Sequence, residues 1–157
     1  MSDFSINNKV LLDYEGDDST VAVPNGVTTI GYGAFRNCWF ITAITLPNSV
    51  TVIETEAFAC CSSLKSITLP DSVKSIGDCA FYDCNSLDSV TLGSGVSSIC
   101  WNTFKGCSSL KKIVIPNSVT EIDRDAFVDC DSIVIYTHVG SCADEYAKEN
   151  NIKVKYI

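Results

Sequence analysis

A strict period of 23 residues runs through most of this 157-residue chain and limits what it can fold into. Phe recurs at Phe35, Phe58, Phe81, Phe104 and Phe127, and Cys at Cys38, Cys61, Cys84, Cys107 and Cys130. Val27, Val50, Val73, Val96 and Val119 keep the same step, as do Ile30, Ile53, Ile76, Ile99 and Ile122. Pro24, Pro47, Pro70, Gly93 and Pro116 open the units. An apolar triplet closes each, such as Leu64, Ile67 and Leu69 or Leu87, Val90 and Leu92. The five units run from Pro24 to about His138 without insertion.

One such unit cannot bury its apolar residues alone, whereas stacked units bury them against each other in a quasi-linear core. In Leu64-Lys65-Ser66-Ile67-Thr68-Leu69 the alternation predicts a half-buried strand, with Ser66 and Thr68 facing out. Pro70-Asp71-Ser72 reads as a turn. Val73 and Ile76 then fit a corner leading into a second, shorter strand, and Ala80-Phe81 a short helical turn with Phe at the coil centre. With strands about 4.8 Å apart, five coils span roughly 20–25 Å. The expected fold is a β-rich solenoid of parallel strands and short helical turns, with every ladder Phe and Cys inside.

The unit P-x-S-V-x-x-I-x-x-x-A-F-x-x-C-S-S-L-x-x-I-T-L, closest at Pro47–Leu69 and Pro70–Leu92, resembles the BspA-type leucine-rich repeat of bacterial and protozoan surface proteins. The segment from Gly140 to Asn150 looks like that family's closing helix, and Phe4-Ser5-Ile6 with Val10 to Tyr14 like its opening hairpin. The resemblance implies a leucine-rich repeat solenoid and an interaction surface. A motif of this kind specifies a fold and names no chemistry.

The ends read as caps. Asn7-Asn8-Lys9 is a hairpin turn between two apolar segments, Glu15 to Ser19 an acidic loop, and Val21 with Val23 a strand against the first repeat. After Ile133 the register fails, with Tyr136 and His138 where Ile and Leu belong. Ser141 can cap a helix whose third residue is Asp144, and Ile152 to Ile157 reads as a last strand. The expected organisation is one complete domain: 1–23 as N-terminal cap, 24–138 as five repeats with the last degenerate, and 139–157 as C-terminal cap.

Composition narrows the partner. With 11 basic and 19 acidic residues the net charge is −8, which disfavours nucleic acid and anionic membranes. No apolar run reaches the length of a membrane span, and Met1-Ser2-Asp3-Phe4 lacks the plan of a signal peptide. Nine Cys is an odd number. Five ladder members cannot pair without a remainder, and adjacent parallel side chains would have to turn towards each other. We read the ladder thiols as reduced core residues whose S–H meets backbone carbonyls. No C-x-x-C spacing offers a metal site; Cys60-Cys61 is a poor chelate, and Cys60, Cys79, Cys100 and Cys142 lie off the ladder.

No catalytic motif is complete. His138 has no placed nucleophile, and Gly31-Tyr32-Gly33 is a repeat turn lacking the rest of a phosphate loop. Glu121, Asp123, Asp125, Asp129 and Asp131 are a solvated face or a weak cation site, with Arg124 among them and no ion-binding-loop Gly or terminal Glu. No cofactor is expected.

Contact residues are sought among the exceptions to the repeat. Trp39 and Phe40 replace a Ser pair, and either pack beneath the hairpin or face a partner; Trp101 and Tyr32 share a variable position. The outward sheet positions carry Thr45, Thr68 and Thr91 together with the charged Lys65, Asp88, Lys111 and Lys112. Trp101, Lys65, Asp88, Lys111 and Lys112 are therefore the expected interaction residues, for a protein partner. The family resemblance implies a noncatalytic adhesion or binding module of the cell surface or secreted class. Nine thiols and the missing signal peptide favour an intracellular scaffold of the same fold. A carbohydrate-binding module or an enzyme would rest on Trp101 and the acidic cluster alone.

Overall fold

The computed structural model describes residues 3–157, so Met1 and Ser2 of the expected N-terminal cap lie outside the described residues. The chain opens with an antiparallel hairpin of β1 (Phe4–Asn7) and β2 (Val10–Tyr14). Its two-residue turn places Asn8 at φ 47° and Lys9 at φ 65°, the paired left-handed geometry that suits hairpin twist. The solenoid follows as β3 (Thr20–Ala22), β4 (Thr29–Ile30), β5 (Ala43–Thr45), β6 (Val52–Ile53), β7 (Ser66–Thr68), β8 (Ser75–Ile76), β9 (Ser89–Thr91), β10 (Ser98–Ile99), β11 (Lys112–Val114), β12 (Glu121–Ile122) and β13 (Val134–Thr137). Helix α1 (Cys142–Glu149) and β14 (Lys153–Tyr156) end it.

The main sheet has seven strands in the order β14-β13-β11-β9-β7-β5-β3, all paired in parallel. Along the other side of the coils, β2, β4, β6 and β8 pair in parallel, and β10 with β12. Because β2 and β3 form a turn ahead of the five sequence repeats, the solenoid makes about six turns.

The second sheet is interrupted between β8 and β10. There the fourth coil opens with Gly93-Ser94-Gly95 in place of Pro-x-Ser. A Cβ on either glycine would strike the backbone of Pro70 or Asp71, so only glycine allows this approach. The hydroxyls of Ser49 and Ser72 donate to the Val27 and Val50 carbonyls at 2.7 and 2.6 Å, and Gly95 has none to offer. Ser118, next in that row, has the one buried hydroxyl without a partner among the described residues.

The segment around Ala80-Phe81 is a run of turns rather than a helical turn. N–H groups of Tyr82, Cys84 and Leu87 donate three residues back, to Cys79, Phe81 and Cys84. Cys79 and Asp83 sit at φ 56°, as do Glu56 and Cys60, one coil earlier, at 58° and 61°. Two left-handed residues in each of the first four repeats stop a helix from propagating. The turns bond between coils as well: the N–H groups of Phe35, Phe58, Phe81 and Phe104 donate to Ala57, Ala80, Thr103 and Ala126 at 2.8–2.9 Å.

The interior is one apolar column from Leu11 to Ala147. Phe35, Phe58, Phe81, Phe104 and Phe127 stack with ring centres 5.1–5.5 Å apart and planes within 6°. A tyrosine closes each end of this stack: Tyr14 lies 5.5 Å from Phe35 and Tyr146 lies 5.9 Å from Phe127. Tilted rings face the ends because no further repeat imposes the parallel register.

The last coil corrects the sequence reading. Lys112 pairs with Val134 and Ile113 with Ile135, a step of 22 residues instead of 23. One missing residue restores the alternation. Ile135 and Thr137 point inward and are fully buried, while Tyr136 and His138 are not the core substitutes expected there. Thr137 is accommodated because its hydroxyl donates to the Ile115 carbonyl at 2.9 Å and lies 2.9 Å from the Ser141 hydroxyl. Ser141 caps α1, accepting from the Asp144 N–H at 3.1 Å. The fully buried Asp144 carboxylate accepts from the Gly140 N–H, the Lys148 ammonium and the Tyr156 hydroxyl at 2.8, 2.8 and 3.1 Å. It thereby ties the helix to both flanking segments.

Candidate interaction face

The outer face of the main sheet is built by strand alternation. Ile44, Ile67, Val90, Ile113 and Ile135 point into the column, so their neighbours must point out. Two cross-strand rows on this face follow from the register. Ser66, Ser89, Lys112, Val134 and Lys153 form one; Thr68, Thr91, Val114, Tyr136 and Lys155 form the other.

Lys65, Asp88 and Lys111 enter their strands side by side. The Asp88 N–H donates to the Lys65 carbonyl at 2.8 Å and the Lys111 N–H to Asp88 at 3.0 Å. The Lys111 ammonium is 2.8 Å from Asp88 Oδ1. Both side chains are exposed, so this pair fixes orientation more than it stabilises. Lys112 extends its ammonium over the Tyr136 ring, 4.9 Å from the centroid, and Lys155 reaches the same ring at 5.5 Å. Tyr136, Lys153 and Lys155 escaped the sequence reading as contact residues. The signal was present in Lys153-Val154-Lys155, whose alternation puts both lysines on the face opposite the core-packed Val154.

Trp101 lies elsewhere. It follows β10 on the turn face, half exposed, beside a groove of ≈ 440 Å³ lined by Arg36, Glu56, Tyr82 and Lys105 among others. Arg36 is paired with Glu56 at 2.7 Å. The structure therefore brings Lys65, Asp88, Lys111 and Lys112 onto one face and leaves Trp101 on another. Trp39 is 67% exposed with its ring edge against Phe40, which packs on the core. Tyr32 is exposed and its hydroxyl donates to Glu56 Oε2 at 3.3 Å.

The ladder thiols are committed to the backbone. Cys61, Cys84, Cys107 and Cys130 donate their S–H to the carbonyls of Phe35, Phe58, Phe81 and Phe104 at 3.1–3.2 Å. All nine cysteines are free. Burial pushes Cys38 up to about 11 and Cys130 up to about 12, and Cys61 further still. It also raises Cys60, Cys79, Cys100 and Cys142 above the ordinary thiol value, whereas a nucleophilic or metal-binding thiol needs the opposite shift. His138 is exposed, its carbonyl accepting from the Ser141 N–H at 3.2 Å. In the acidic segment, Asp123 Oδ1 accepts from the Asp125 N–H at 2.9 Å and Arg124 lies 3.5 Å from Asp125. Among the described residues no group of three or more His, Cys, Asp or Glu converges as a metal site would require. No helix among them is long and apolar enough to cross a membrane.

Residues 6–134 match the BspA type leucine rich repeat region in six copies. A comparison with curated protein sequences returns no match. Among solved structures the chain is similar to a leucine rich repeat protein of Treponema pallidum, at 31% identity and a TM-score of 0.79, covering 85% of this chain and 67% of that one. A leucine-rich repeat protein of Eubacterium ventriosum matches at 26% identity and a TM-score of 0.75, over 83% of this chain and 36% of that one. A leucine rich cell surface protein of Faecalibacterium prausnitzii shares the fold at 23% identity and a TM-score of 0.51, over 88% and 59% of the two chains. The chain thus spans a third to two thirds of the lengths of these relatives. Repeat period, solenoid and family match agree: the chain belongs to the BspA-type leucine-rich repeat family.

Proposed function

We propose that this chain is a noncatalytic protein-interaction module that binds a protein partner through the outer face of its main sheet, with residues 1–23, 24–138 and 139–157 acting as one unit. The carrying observation is the face itself: six strands in unbroken parallel register from β5 to β14, presenting Lys65, Asp88, Lys111 and Lys112 together. A stiff sheet presents such side chains with little ordering cost on binding. Cys61, Cys84 and Cys130, raised in pKa and bonded to carbonyls, are poor nucleophiles, and among the described residues His138 has no hydrogen-bonded acid or nucleophile beside its ring. The family relatives, one of which is described as a cell surface protein, support placement at the bacterial surface or in the secreted fraction. The free thiols favour the alternative of an intracellular scaffold on the same fold.

Capture of partner proteins from bacterial and host extracts on the immobilised chain tests this reading. Changing Lys65, Lys111 and Lys112 to Ser should abolish capture of whatever the parent chain retains, and Trp101→Ala should leave it. Retention by the lysine variant and loss with Trp101→Ala would move the interface to the turn face. Turnover of a substrate that His138→Ala abolishes would overturn the noncatalytic reading.

A further inference from the structure

The charges of this molecule are segregated. The seven strands of the main sheet and the residues that open them carry Lys65, Lys111, Lys112, Lys153 and Lys155 against a single acid, Asp88. The rest of the chain carries six basic and eighteen acidic residues. Asp88 is matched by Lys111, and no carboxylate among the described residues pairs with Lys112, Lys153 or Lys155. Two of these ammonium groups converge on one ring, Tyr136. Like charges drawn together in this way are relieved by an anion placed between them.

We infer that the C-terminal half of this face, Lys112, Lys153 and Lys155 around Tyr136 with Val114 and Val134, docks a carboxylate-rich peptide segment of a protein partner. The inference rests on the interaction reading above and gives it a partner chemistry. Val114, Val134 and the Tyr136 ring lie among the lysines on the same two cross-strand rows, so charge and apolar contact alternate at intervals that a peptide side chain can match. Lys112 and Lys153 are two strands apart, about 10 Å, a separation that a peptide in the polyproline II conformation, with three residues per turn and about 3.1 Å rise, bridges with carboxylates three residues apart on one face. A nucleic acid or glycan would seek a bare aromatic platform for stacking, whereas the Tyr136 ring is already engaged by two ammonium groups. The acids exposed on the other surfaces also repel a continuous polyanion more than a short acidic segment.

The probe is a fluorescein-labelled decapeptide built from Glu-Glu-Val repeats, followed by fluorescence anisotropy with the whole chain. Saturable binding is expected that weakens about tenfold between 50 and 500 mM salt, as the Debye length shrinks. The double variant Lys112→Gln/Lys155→Gln should lose at least about tenfold in affinity, while Lys9→Gln/Lys74→Gln, equal in charge but off this face, should stay within about twofold. Equal losses in both variants would overturn the inference in favour of unspecific charge. Tighter binding of a labelled decathymidylate or a heparin fragment would overturn the peptide assignment. The lysines of the edge strand β14 have a competing role in blocking sheet-to-sheet pairing. Self-association of Lys153→Gln/Lys155→Gln in gel filtration, with unchanged peptide affinity, would assign them to that role instead. Absence of peptide binding beside lysine-dependent capture of a partner would overturn the acidic chemistry alone; absence of both would remove the interaction reading too.

Discussion

The third coil and the last one are built from the same unit and hold their cores differently. In the third coil Phe81 and Cys84 are fully buried between two neighbours that repeat the same Phe and Cys. In the last coil Phe127 and Cys130 retain slight exposure, the unit is one residue short, and the following neighbour is a helix. The last coil substitutes specific polar bonds for repetition: the Tyr146 hydroxyl donates to the Arg124 carbonyl at 3.2 Å, and Asp144 gathers three donors. A repeat column is thus stabilised in its middle by burial shared with two coils, and at its end by side chains that satisfy what a missing coil would have satisfied.

The largest test of this difference is the aromatic column. Phe81→Ala should cost about 3–5 kcal/mol in chemical denaturation, because parallel rings on both sides prevent the cavity from collapsing. Phe127→Ala should cost at least about 1 kcal/mol less, since its tilted Tyr146 neighbour can shift into the space. Equal costs would show that the last coil is as rigidly packed as the third.

Cys84→Ala should cost around 1 kcal/mol, the removal of a small buried group and a weak S–H bond. A Cys61–Cys84 or Cys84–Cys107 disulfide in unreduced protein, found by mass spectrometry, would contradict the thiol–carbonyl ladder.

Alkali should act through the same thiols. The folded pKa values of Cys38, Cys61, Cys84 and Cys130 are raised above the ordinary 9.0, to about 11 at Cys38 and about 12 at Cys130. The unfolded chain therefore releases protons first, and stability that is complete below about pH 9 declines as pH rises towards the folded values. Replacing Cys61, whose value its deeper burial pushes above that of Cys38, should flatten the decline in melting temperature more than replacing Cys38 near the end. The reverse ranking would show that burial does not set these values.

Acid should act at the C-terminal end. The bonds from the Lys148 ammonium and the Gly140 N–H hold the Asp144 carboxyl below its ordinary value. Its contribution is present above about pH 4 and is lost as pH falls through the lowered folded value. Hydrogen exchange below pH 4 should accelerate in α1 and β14 before the third coil. Asp144→Asn should bring the same loosening at neutral pH, and uniform exchange along the chain would remove the distinction between end and middle.

The regular part of this molecule was open to reading from the chain alone. Phe81, Cys84 and Ile76 recur at a fixed step, and identical units can bury identical side chains only by stacking. The turns were less legible. Ala80-Phe81 looks locally like the start of a helix, and only the carbonyls of the next coil, reached through left-handed Cys79 and Asp83, draw the backbone away from it. Tyr136 misled for a related reason. A one-residue deletion in a strand exchanges its two faces, and nothing near Tyr136 records that Ile135 had moved into register with Ile113.

The sequence by itself determined the repeat unit and which side chains form the core of the regular coils, because periodic burial depends only on order along the chain. Tertiary structure alone decided which surface residues meet. Lys112, Tyr136 and Lys155 lie far apart in sequence and in three different segments. They converge because parallel pairing sets strands side by side at a register fixed by the buried face. Trp101, read in sequence alongside the lysines, faces another side, since the corner after β10 turns its segment away from the main sheet. A surface contact depends on register and on the bends between strands, and a list of residue types carries neither.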